Sequence, residues 1–175
     1  MVLMGAWLMG SVCMSVVATD NFYTVDRLLT GSSNGAFAGM VQTLGQPAAR
    51  ELLRFLSSEL NRLYFQMWNV AQIALGVAAL WLARDRTIGL GPAEKIIVAM
   101  LAIVVLMLVY LTPAIVSLGR ELDFVPRDPA PPGMSRFWVL HAAYTSLEML
   151  KLAAGLVAAA LLARRDGRVP HEAAV

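Results

Sequence analysis

His141, Glu148 and Lys151 lie within one apolar stretch, residues 137–165, that is long enough to cross a bilayer. A charge at the bilayer centre costs about 3 kcal/mol or more, so such groups face a protein interior or a wet cavity. Glu148 and Lys151 are three residues apart and share a helical face, so they can pair. Tyr144 and Thr145 extend that polar side back to His141. A second stripe at helical spacing runs through Arg62, Gln66, Asn69, Gln72 and Gly76, with Glu59 just before it, and Ser11, Ser15 and Thr19 form a third. Polar sides of membrane helices turn towards one another because lipid cannot satisfy them. The candidate polar site is therefore His141, Tyr144, Glu148 and Lys151 facing Arg62, Asn69 and Gln72. It admits two chemistries. One is interhelical hydrogen bonding that fixes a bundle, with Glu148 paired to Lys151 or to Arg62. The other is a proton or ligand site between two spans.

Other chemistries find less support. The chain has one cysteine, Cys13, and two histidines, His141 and His171, so no zinc spacing exists and a two-histidine haem within the chain is disfavoured. Met9 and Cys13 share a helical face and are soft ligands of the kind that suits Cu(I), although methionine in an apolar helix is more often packing. There is no nucleophile elbow, phosphate-binding loop, zinc-helix motif or dinucleotide fingerprint. The expectation is a protein that is not an enzyme and carries neither metal nor cofactor.

The polar residues need helices to position them, and four apolar blocks supply these: Val2–Thr19, Tyr64–Ala83, Ile96–Val116 and Trp138–Ala163. Each approaches or exceeds the roughly 20 residues that cross about 30 Å of hydrocarbon. The first resembles the apolar part of a signal peptide but has no basic start, and is read as a retained span. The third is free of charge, and its Pro113 should bend or end the regular hydrogen bonding near the membrane boundary. Pro47 opens a leucine stripe through Leu52, Leu53, Leu56, Leu60 and Leu63, and no Gly or Pro separates it from the second span. A continuous helix from Pro47 to Ala83 would be about 55 Å long, with its first half beyond the bilayer or along its surface. Residues 31–39 (GSSNGAFAG) space Gly31, Gly35 and Gly39 four apart, which predicts a turn followed by a short, closely packed helix. Residues 84–95 make a short polar turn, and the four prolines of residues 119–136 predict a stiff extended connection.

The sequence is 58% hydrophobic and 15% charged, where a soluble domain has about a quarter of its residues charged. The fold class expected is all-α, an integral membrane four-helix bundle with an extended, partly extramembrane second helix, and residues 1–175 form a single membrane domain. Basic residues are scattered with a net charge of +2, so no nucleic-acid surface is expected. Four spans put both termini on one side. Arg84, Arg86, Lys95, Arg164, Arg165 and Arg168 lie there, and Arg27, Arg50, Arg54, Arg62, Arg120, Arg127 and Arg136 lie on the other side. The raw count slightly favours the second set, but the first is denser at the span ends, so the expectation is both termini in the cytoplasm by the positive-inside rule.

The stretches at 50–76 and 111–155, with Gly35 and Gly39 after the first span, Pro113 near the end of the third and the Leu140–His141 pair opening the fourth, resemble the bacterial relatives of the TMEM205-like (DUF4149) membrane proteins. That resemblance implies a small four-helix membrane protein and no particular activity; the location expected is the inner (cytoplasmic) membrane. The preferred reading is an accessory or structural subunit, in contact with the lipid bilayer, that acts through other membrane-protein subunits or through self-association. The alternatives are a proton-linked transporter or carrier using Glu148 and Lys151, and a haem- or copper-binding membrane redox protein.

Overall fold

The computed structural model describes residues 1–84 and 89–166. The centre of the polar turn, residues 85–88, and the tail with Arg168 and His171 lie outside the described residues. The described residues form six α-helices and no strand: α1 (Val2–Gly31), α2 (Gly35–Leu44), α3 (Gln46–Ala83), α4 (Pro92–Leu106), α5 (Thr112–Glu121) and α6 (Met134–Asp166). A π-helical turn, Met107–Leu111, joins α4 to α5, so the two run as one rod over Pro92–Glu121. Four helical rods are therefore long and apolar enough to cross a membrane. Only 17–33% of each rod's most apolar stretch is buried inside the chain. The rest is apolar surface that water would penalise, and lipid is its cover.

The helices outrun the apolar blocks. Asp20, Asn21, Asp26 and Arg27 end the hydrophobic run of the first span, yet α1 continues to Gly31 because α3 runs alongside it. Polar ties join the two from Ala18 onward. Asn61 donates to the Ala18 carbonyl at 2.9 Å and accepts from Asn21 at 2.6 Å, Ser57 donates to the Asn21 carbonyl at 3.3 Å, and Asp26 pairs with Arg50 at 3.0 Å. The 38 residues of α3 are about 57 Å of unbroken helix. Residues 46–63 of α3 and the second half of α1 thus form a hairpin extension that projects roughly 25 Å past the span at ~1.5 Å per residue.

Pro113 does not end its rod. A proline offers no N–H to the carbonyl four residues back and its ring crowds that carbonyl. The preceding π turn accommodates this mismatch. The helix resumes through Glu121. Residues 122–133 are irregular, with Phe124 in the left-handed region at φ 59° and its ring 5.0 Å from that of Phe55.

The glycine-spaced segment corrects an expectation. Its turn and helix are present, and Asn34 caps α2 by accepting from the Phe37 N–H at 3.0 Å. Close packing is not. No residue of α2 is buried, and a Cβ added at Gly31, Gly35 or Gly39 would meet open space. The close approaches lie inside the bundle. Gly10 lies against the Trp68 ring, Gly76 against Trp7 and Leu101, and Gly155 against Leu8. The main core gathers beside them, with Met4, Trp7, Ile97, Met100, Val104 and Ala158 packed together. That cluster also brings the start of α1 and the end of α6 to the same end of the bundle.

Candidate functional site

Lys151 is 2% exposed at the middle of the bundle. Its ammonium pairs with Glu148 Oε1 at 2.8 Å and donates to Gln72 Oε1 at 2.5 Å. The same Gln72 oxygen accepts the Trp7 indole N–H at 2.9 Å. From Gln72 the network passes to Asn69 Oδ1 at 3.4 Å, which also accepts from the Tyr144 hydroxyl at 3.4 Å. Asn69 in turn donates to Thr112 Oγ1 at 2.9 Å. One connected set of side chains therefore touches all four rods: Trp7 from α1, Asn69 and Gln72 from α3, Thr112 from α5, and Tyr144, Glu148 and Lys151 from α6. Asn69 and Gln72 have no exposed surface.

The local reasons for this convergence are spacing and size. Asn69, Gln72 and Gly76 fall on one face of α3, and the missing side chain at Gly76 leaves room for the Trp7 ring. The indole thereby reaches Gln72. On α6, Tyr144, Glu148 and Lys151 are four and three apart and share a face. A buried ion pair is stable only when its remaining hydrogen-bonding capacity is met, and Gln72 supplies that to Lys151.

Two sequence candidates lie elsewhere. His141 is exposed, and its ring stacks on Phe137 with centroids 6.0 Å apart. It sits two turns from Glu148, beyond the end of the polar network, beside Phe137 and Trp138. Arg62 belongs to a second ionic group and not to Glu148. It pairs with Glu59 at 2.5 Å and with Asp123 at 2.8 Å, the latter an ion pair that is not aligned as a hydrogen bond. Arg120 grips both oxygens of Glu59 at 3.1 Å. The guanidinium of Arg120, then that of Arg62, holds the Glu59 carboxyl down at about 2. This group lies beyond the second span and clamps the end of α5 to α3. Gly119 lets Arg62 lie close, since a Cβ there would be 3.1 Å from its Nη2.

A third tie closes the opposite end. Arg165 donates to Glu94 at 2.8 Å and to the Ala83 carbonyl at 3.0 Å, joining α6, α4 and α3. Sequence reasoning missed Trp7, Thr112, Asp123 and Glu94. Trp7 reads as an apolar residue in an apolar block, and only the Gly76 gap reveals its indole as a donor. Met9 and Cys13 are both exposed on α1. Among the described residues no three His, Cys, Asp or Glu side chains gather as metal ligands.

Fold and site together define a small multi-pass α-helical membrane protein whose spans enclose a polar network. No protein-family model matches the chain, and no curated protein or solved structure matches it.

Proposed function

We propose that this protein is a non-enzymatic accessory or structural subunit of the cytoplasmic membrane, with both termini in the cytoplasm, that acts through protein partners. The observation that carries this reading is the α1–α3 hairpin that extends past the apolar spans, with its uncovered apolar tip. Met40 is 72% and Leu44 53% exposed there. A hollow of about 440 Å³ opens between α1, α2 and α3, lined by Leu28, Phe37, Val41 and Gln46 among others. Apolar side chains left uncovered on a helical arm suit a partner's surface. The intramembrane polar groups, by contrast, are largely engaged with one another, as a structural lock requires.

Purification of the tagged chain in mild detergent tests this. The expected result is a stoichiometric second protein that is lost in the Met40→Ser/Leu44→Ser variant while the chain itself stays folded. A chain that purifies alone from wild-type membranes contradicts the reading. So does a partner that is retained unchanged by that variant.

A proton-linked carrier using Glu148 and Lys151 is the second reading. Its support is the ionisable pair at membrane depth, where Glu148 keeps 8% exposure against 2% for Lys151. A Glu148→Gln variant that keeps wild-type thermal stability and partner binding but abolishes a cellular phenotype would favour it.

A further inference from the structure

The face of α3 opposite its buried side is apolar along nearly its whole length, and it does not stop at the membrane. Ser57, Asn61, Asn69, Gln72, Gly76 and Ala79 are buried against the rest of the chain. On the other side, before the span, the spacing alternates three and four residues through Leu53, Leu56, Leu60 and Leu63. Leu56 is 54% exposed and Leu63 49%, while Leu53 and Leu60 are half-buried at the edge of the seam. Within the span the same spacing continues through Met67, Val70, Ala74, Val77 and Trp81, all exposed. This is a heptad seam with every a and d position apolar. Lipid covers its second half as it covers any span. The first half stands on the arm that extends past the apolar span, with Leu52 beside it.

We infer that this seam is the interface of a parallel homodimer in which α3 of one copy packs along α3 of a second. Three features favour a second copy. Membrane insertion gives every copy the same orientation, so two copies meet with α3 parallel and each apolar layer faces its own equivalent at the same depth. No charged residue occupies an a or d position. The flanking positions carry one charge, Glu59, which is already neutralised by Arg120 and Arg62 of its own chain and would face Tyr64 of the second copy. A repeat of 3.5 residues on a straight helix drifts by about 20° per heptad, so the two copies of α3 would cross with a left-handed twist. The arm's leucines are thereby removed from water by the same contact that joins the spans. This goes beyond the subunit reading. A homodimer would form whether or not another protein binds the hairpin tip.

Cysteine cross-linking tests it in a Cys13→Ser background in native membranes. Leu56→Cys and Leu63→Cys should each form a disulfide-linked species of twice the chain mass on mild oxidation, because d positions of a parallel pair face each other. Glu51→Cys, exposed on a different face of the same arm, should not. The unsubstituted chain in detergent should have the mass of a dimer by light scattering, which keeps the test independent of how the variants fold. A monomer by mass overturns the inference. So does cross-linking at Glu51→Cys as strong as at Leu56→Cys, or adducts at Leu56→Cys and Leu63→Cys only to other proteins. Loss of the co-purifying partner in the tip variant with dimer mass intact would separate the two surfaces.

Discussion

Besides the Asp26–Arg50 pair on the hairpin arm, the described side chains form three ionic ties at three heights. Glu59 with Arg62, Arg120 and Asp123 clamps the far end, Lys151 with Glu148 holds the centre, and Arg165 with Glu94 closes the near end. The far clamp predicts a pH response. The Glu59 carboxyl is depressed from its ordinary value to about 2 by Arg120 and Arg62. A depressed carboxyl contributes stability that is fully present above the unfolded value and is lost as pH falls through the folded one. Thermal stability in detergent should therefore drop as pH falls from about 4.5 towards 2, and Glu59→Gln should flatten that acid limb while lowering stability at neutral pH. A Glu59→Gln profile that parallels wild type in acid would show that the clamp does not contribute. The sequence displayed much of the central tie, since Tyr144, Glu148 and Lys151, and likewise Asn69 and Gln72, stand at helical spacing. It assigned His141 and Arg62 to the same site because periodicity gives a face and not a depth. It hid Trp7 because an indole's single donor is invisible among apolar residues. Thr112 and Asp123 were hidden because their partners come from distant segments.

At the scale of elements, length and hydropathy suffice to find four spans, and a proline-led leucine stripe suffices to find the long α3. Three features needed the packed structure. The first is the length of α1, whose polar second half is helical because it runs along α3. The second is the π turn that carries a rod past Pro113. The third is which glycines are close-packed. Spacing drew attention to Gly35 and Gly39, but a glycine's value depends on what faces it, and Trp7 faces Gly76. Gly76→Val should therefore overpack the core and lower stability by about 1–3 kcal/mol. Gly35→Leu and Gly39→Leu should leave thermal stability unchanged, since both point into open space. Melting curves in one detergent for all three variants would check this contrast, and equal losses at the three sites would refute it. The spans themselves predict a topology. In a Cys13→Ser background, cysteines at Ser32 and Arg164 should react with an impermeant thiol reagent from opposite sides of the membrane. Labelling of both from one side would contradict four crossings.

At the scale of the whole molecule, the chain is a bundle with little core of its own and one polar knot that touches every rod. Apolar packing between membrane helices gains nothing from excluding water, because lipid is as apolar as leucine. Specific ties then decide which helices meet, and the Trp7–Gln72–Lys151–Glu148 set with Asn69, Thr112 and Tyr144 is the tie common to all four. Such an arrangement makes the network a single structural unit, and removal of one charge strands the other. The direct test is the thermodynamic cycle of Glu148→Gln, Lys151→Met and the double variant, followed by thermal unfolding of the purified protein. Each single change should cost about 3 kcal/mol, and the double change should cost clearly less than the sum of the two. Neutral single changes, or a double change equal to the plain sum, would contradict a coupled buried pair at the centre of the bundle.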